Sequence, residues 1–283
     1  MISRSLTILS CTALVTATAA ADEAGFHLFK PFQPAPGQTL VIKTLSESPN
    51  GEIIVTQGTE TRKGTLSITN QKTLERTVSG TDAKAKLQYR TLASLRSTTT
   101  RFGETETTDS SSGPLLGITV EGMRDQTRQW RLFTENNSND PKIAAAVSEL
   151  EAYENRRLFL DQPVRTGQSW PIDPGFVRHL IERDLGKSPI KASMTFRSVE
   201  PVDGEPTALF DFSIESVGAK QDGGKKKQSA ASVSLSGTLQ VALDTMLDKK
   251  TTMTGSLTSM VVTDEQSTSV TLPVNMVITR SLR

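Results

Sequence analysis

Strict period-two alternation of apolar and polar residues constrains this chain more than any other feature. Val233, Leu235, Gly237, Leu239, Val241, Leu243, Thr245 and Leu247 fall on one face of an extended run, with Ser232, Ser234, Ser236, Thr238, Gln240 and Asp244 on the other. Val270, Leu272, Val274, Met276, Ile278 and Leu282 alternate with Ser269, Thr271, Asn275 and Thr279. Shorter runs of the same kind include Ile190–Arg197, Phe210–Glu215 and Lys86–Arg96. A strand that is apolar on one side and polar on the other belongs to an antiparallel sheet with one buried face; a parallel sheet clad in helices buries both. The run Val233–Leu247 extends for roughly 50 Å at about 3.4 Å per residue, so it must twist and bend, and Gly237 is the expected bending point. Pro49-Asn50-Gly51, Val202-Asp203-Gly204 and Leu247-Asp248-Lys249-Lys250 are the expected turns. The expected fold is therefore α+β and β-dominated: a long curved antiparallel sheet, half-barrel or open barrel, with two short helices packed against it.

The helices interrupt the strands around residues 140–186. The first opens at Asn139-Asp140-Pro141, with Asp140 as cap and Pro141 in the first turn; Ile143, Ala146, Val147, Leu150 and Tyr153 follow at helical spacing. Glu149, Glu151 and Glu154, with Arg156 and Arg157 nearby, read as ordinary surface pairs. The second helix opens at Asp173-Pro174 and stops at Gly186, with Phe176, Val177, Leu180, Ile181 and Leu185 as its apolar stripe. Between them lies "DQPVRTGQSWPIDP", residues 161–174. Its prolines favour extended geometry, and Trp170 either plugs this loop onto the sheet or stacks on a ligand.

The first residues have the plan of a secretory signal: Arg4, an apolar stretch from Leu6 to Val15, and small residues at Ala17, Ala19, Ala20 and Ala21. Residues 1–21 are assigned to the signal, 22–38 to a Pro-rich lead, and 39–283 to one β-rich domain with the helical insertion. Cys11 is the only cysteine. Lipid anchoring through Cys11 is the alternative to cleavage at Ala20 or Ala21, but only six residues separate it from Arg4, short for an export signal. Cleavage after Ala21 leaves no cysteine, and with it no disulfide or thiolate chemistry. No segment reaches the length of about 20 apolar residues that a membrane-spanning helix needs. The expected location is periplasmic or extracellular.

The chain carries 32 Lys and Arg against 31 Asp and Glu. That balance lacks the basic excess of a nucleic-acid binder. His27 and His179 are the only histidines, and neither has companions at metal-ligand spacing. Glu104 and Glu106 share a strand face among Thr and Ser and read as a solvated strand end. Ser169 lacks the Gly-x-Ser-x-Gly setting of a nucleophile. Lys225, Lys226 and Lys227 read as a solvated hairpin tip. No phosphate loop, dinucleotide fingerprint or zinc motif occurs, so no cofactor, metal or catalytic residue is nominated.

Two resemblances extend this reading. Pro163-Val164-Arg165-Thr166-Gly167-Gln168-Ser169-Trp170 resembles the P-V-x-x-G-x-x-W signature of exported bacterial β-rich proteins of unknown function. Leu116–Val120 before it and Gly237-Thr238-Leu239 after it fit the same layout. This resemblance implies an envelope location. The overall plan is also similar to the periplasmic lipoprotein-carrier fold, whose unclosed barrel shelters acyl chains. That resemblance implies that Leu235, Leu239, Val241, Leu243, Val274 and Met276 line a concave ligand-binding face, with Trp170 as the stacking candidate. The expected function is a non-enzymatic envelope protein holding a lipid, another hydrophobic ligand or a partner chain there. The alternatives are an assembly module acting through strand edges and, behind it, a cell-surface hydrolase.

Overall fold

The computed structural model describes residues 27–32, 35–81, 84–135, 140–174, 177, 189–221 and 228–283. The signal segment, Cys11, His179, the lysine run at 225–227 and most of the expected second helix lie outside these residues. Pro174 and Val177 are helical, and the Val177 amide donates to the Asp173 carbonyl at 3.2 Å.

Twelve strands form one open, curved antiparallel sheet. In chain order they are β1 (Thr39–Gln57), β2 (Glu60–Ser79), β3 (Lys86–Phe102), β4 (Thr105–Ser112), β5 (Thr119–Arg124), β6 (Trp130–Thr134), then helix α1 (Pro141–Glu154). There follow β7 (Ser169–Pro171), β8 (Ile190–Val202), β9 (Glu205–Gln221), β10 (Gln228–Ala242), β11 (Asp248–Val262) and β12 (Gln266–Leu282). Across the sheet the order is β6-β5-β3-β2-β1-β12-β11-β10-β9-β8-β7, with β4 paired to the far part of β3. The first and last strands thus meet in the middle. The chain steps outward from β1 to the edge at β6, crosses to the opposite edge at β7, and steps back to β12.

The crossing segment lies over the inward face. Asp140 caps α1, its side chain accepting from the Lys142 amide at 2.7 Å, and Pro141 occupies the first turn as expected. Ala146 and Leu150 of α1 bury against Leu40, Ile42, Leu74 and Leu87 of β1–β3. Beyond α1, Val164, Trp170 and Ile172 bury against Phe196, Phe210 and Leu239 of β8–β10, where Phe29 of the N-terminal lead also enters. Two apolar clusters therefore sit side by side on one face. Phe29 and Phe210 meet edge-to-face at 4.8 Å, and the Phe196 and Phe210 rings are tilted against each other at 5.4 Å.

Several expectations need correction. β10 ends at Ala242, and the chain turns through Leu243–Met246, with Met246 at φ 59°. Leu247 therefore joins the first cluster while Val241 belongs to the second. Leu247–Lys250 is the entry to β11 rather than a turn. Pro49-Asn50-Gly51 is a bulge inside continuous β1: Asn50 is at φ 52° and the register shifts between Ser48 and Gly51. Val202-Asp203-Gly204 is a hairpin turn, with Asp203 at φ 54° and Gly204 at φ 82°. Gly237 acts by close approach: a Cβ there would meet the Thr252 carbonyl oxygen at 2.0 Å and the Phe212 ring at 2.5 Å.

Trp170 is 5% exposed, and its indole Nε1–H donates to the Leu158 carbonyl at 2.8 Å. Replacing it with Ala removes both the packing and that bond. Trp170→Ala should cost about 3–5 kcal/mol, visible as a lower urea midpoint with an unchanged slope; an unchanged midpoint would show that the loop does not depend on the plug.

Candidate binding site

Where α1 ends, the crossing segment passes over the middle strands, and five charged side chains meet there in the interior. Arg76 projects inward from β2 beside its cross-strand neighbours Leu40 and Tyr89. It grips Glu154 at the last position of α1 side-on: Nε donates to Oε1 and Nη2 to Oε2, both at 2.8 Å. Tyr89 donates its hydroxyl to the same Oε1. Arg156 donates from Nη2 to Asp248 Oδ2 at 3.0 Å, and Arg280 of β12 lies 3.3 Å from that oxygen. Arg280 also donates to the Asp248 carbonyl and the Tyr153 hydroxyl. The Tyr153 ring carries the Arg156 guanidinium 3.7 Å from its centroid and that of Arg280 at 5.6 Å.

Burial works against every charge here, and pairing outweighs it. Burial pushes the Glu154 carboxyl up, but the Arg76 charge and the hydrogen bonds from Arg76 and Tyr89 hold it below its ordinary value. Burial likewise opposes the Arg76 and Arg156 charges. Glu154 keeps Arg76 above the ordinary guanidinium range, while Tyr153 and Asp248 do the same for Arg156. Tyr89 is raised well above its ordinary value, first by burial and then by Glu154, so it stays a hydroxyl donor.

Alternation alone places none of these residues in a site, and Glu154 and Arg156, expected as surface pairs, lie in the interior. The signal was present nonetheless. Arg76 falls between Leu74 and Val78, and Arg280 between Ile278 and Leu282, each on the inward face. An arginine at a core position of an alternating strand requires a buried partner.

The residues expected to line a ligand face divide into two groups. Leu235, Leu239 and Val241 are buried in the second apolar cluster. They are covered there by the protein's own aromatic residues, as is Trp170. Leu243, Val274 and Met276 are only partly buried. Met276 stands opposite Met253, Val274 opposite Gly255 and Leu272 opposite Leu257 on adjoining β12 and β11. The inward face thus stays apolar here and is partly covered, with Leu272 buried and Met253, Leu257, Val274 and Met276 half-buried.

The edges are managed separately. Asn155, the C-cap of α1, bonds both the amide and the carbonyl of Trp130, at 2.8 and 2.9 Å. Glu151 accepts from the Leu132 amide at 2.8 Å and from Arg131 at 2.9 Å. Helix side chains thus occupy the free edge of β6. β4 is exposed along its whole length, but it reads Thr-Glu-Thr-Thr-Asp-Ser-Ser-Ser, unsuited to edge pairing. Ser169 bonds Thr195 at 2.7 Å, and His27 pairs through its backbone with Val164. Among the described residues, no group of three or more His, Cys, Asp or Glu could hold a metal, and no helix is long and apolar enough to cross a membrane.

No protein-family model matches the chain, and no curated protein matches it. It is weakly similar to the COG4313 outer membrane channel from Pseudomonas putida F1, with 8% identity over 88% of this chain and 97% of that one and a TM-score of 0.23. A DUF1329 family protein from Desulfovibrio piger ATCC 29098 shows 11% identity over 86% of this chain and 85% of its own, with a TM-score of 0.15. At such scores neither likeness bears on function.

Glu154→Gln leaves Arg76 buried without its counter-charge and should cost about 3–5 kcal/mol at neutral pH, read by urea unfolding. Because folding lowers the Glu154 pKa, its contribution is complete above the ordinary value of 4.5 and is lost as pH falls through the lower folded value. Wild type should therefore lose stability below pH 4.5 more steeply than Glu154→Gln. Parallel pH curves would show that Glu154 does not carry this linkage.

Proposed function

We propose that this chain is an exported envelope protein, without catalytic activity, that holds an apolar ligand along the half-open part of its trough. The observation that carries this is the row Met253, Leu257, Val274 and Met276. These residues are partly buried and continue the closed core along β11 and β12. A contiguous apolar surface left uncovered beyond a few hundred Å² marks a binding site. Gly255 lies in that row opposite Val274 and offers no side chain, so the floor is lowest there.

Export rests on the signal-like first residues. The opposite face of the sheet suits water: Lys43, Glu47, Lys191 and Glu215 are exposed on it, as are Ser234 and Ser236. A band facing lipid would be apolar instead. Assembly through strand edges is the weaker reading, because helix side chains occupy the β6 edge and β4 is polar throughout.

Nile red, a neutral apolar dye, tests the trough. It should bind saturably with enhanced fluorescence, and Met276→Lys should weaken that binding about tenfold, the effect of placing an unpaired charge against an apolar ligand. The thermal midpoint should barely change, since Met276 is only partly buried. Absence of saturable binding, or equal binding by the variant, would remove the trough as the site.

A further inference from the structure

The buried charges do not balance. Arg76, Arg156 and Arg280 bring three positive charges to two carboxylates, Glu154 and Asp248. The Arg76 side chain is 9% exposed, and its Nη1 has no hydrogen-bond partner while Nε and Nη2 are taken by Glu154. Arg76 also lines a cavity of about 60 Å³, together with Arg156, Tyr153, the carboxylates Glu154 and Asp248, and the apolar Phe32, Leu40, Leu158 and Phe159. Buried guanidinium N–H groups are ordinarily satisfied, and an excess buried charge ordinarily has a counter-ion.

We propose that this cavity is a binding site for a carboxylate, with Arg76 Nη1 as its donor. The excess of one positive charge matches a monoanion; a phosphate dianion would reverse the imbalance. The volume is that of about two waters, enough for a carboxylate head. Planar carboxylate oxygens suit guanidinium N–H groups. The apolar part of the wall accepts the carbon end of the ligand, because Leu158 and Phe159 also pack on the second apolar cluster. The ligand is either a free small carboxylate or the acid end of a longer amphiphile. The site does not depend on the trough being occupied.

The mature chain, in a halide-free HEPES buffer, is titrated with acetate, decanoate, decanol and sodium chloride, and thermal unfolding and calorimetry are followed. Acetate and decanoate should raise the midpoint saturably; decanol and chloride at matched concentration should not. Decanoate binding at least about tenfold tighter than acetate assigns the acid end of an amphiphile, and comparable affinities assign a free carboxylate. Arg76→Lys keeps a charge for Glu154 but removes the planar donor set, and should weaken acetate binding about tenfold. No saturable effect of either acid, an equal effect of chloride, or unchanged acetate affinity in folded Arg76→Lys would overturn the site. Should that variant not fold, the wild-type titrations decide alone. Nile red binding by wild type stays independent of these outcomes, so failure of the cavity and failure of the trough are told apart.

Discussion

A sheet whose first and last strands meet in its middle forces the chain to cross from one edge to the other. Everything between Thr134 and Ser169 performs that crossing, and the fold depends on where it is held. The hold is ionic. At the end of α1 the backbone passes over β2, β12 and the start of β11, and each supplies a buried partner: Arg76 to Glu154, and Arg280 and Asp248 to Tyr153 and Arg156. Apolar side chains could fill the same space with comparable stability. What they lack is direction. The side-on pairing of Arg76 with Glu154 fixes both distance and angle, so α1 can dock on the strands in one register only.

Position explains why polarity is tolerated here. The cluster sits between the two apolar cores, where neither reaches fully across. Leu40 and Phe32 close it from the first core, Leu158 and Phe159 from the second. The same helix solves a second problem through its polar face. The Asn155 amide and the Glu151 carboxylate stand in for the donors and acceptors that another strand would offer β6. Helix α1 thus joins the halves by charge and seals an edge by mimicking a strand.

The class of fold was legible because alternation is a local property: Phe210, Phe212 and Ile214 turn inward wherever the strand lies. The cap of α1 was legible for the same reason, since Asp140 and Pro141 act within a turn. The ends of strands were less so. Val241 and Leu247 keep the same parity, yet a turn at Leu243–Met246 sends them into different cores. Pro49-Asn50-Gly51 has the composition of a hairpin turn, but long flanking partners on β2 and β12 hold it as a bulge. The ionic site was hidden for a different reason. Arg76 and Glu154 lie 78 positions apart, so only the crossing path brings them together. Their trace in the sequence was an irregularity, an arginine where a core residue belonged, rather than a motif.

Burial is uneven across the inward face, and that difference connects the fold to its proposed use. Where α1 and the Trp170 loop cross, side chains from the lead, the loop, α1 and strands β1–β3 and β5–β10 fill the inward face. Farther along β11 and β12 the inward row is Met253, Leu257, Val274 and Met276, only partly covered, and the outward row is largely Ser and Thr. Stability is concentrated where burial is complete, and the sparsely packed ends of long strands open at lower free energy. For the apolar ligand proposed above, a fully buried end and a partly covered end on the same strands suit flexible chains. Met253 and Met276 strengthen that match, because unbranched thioether side chains conform to ligands of varied shape.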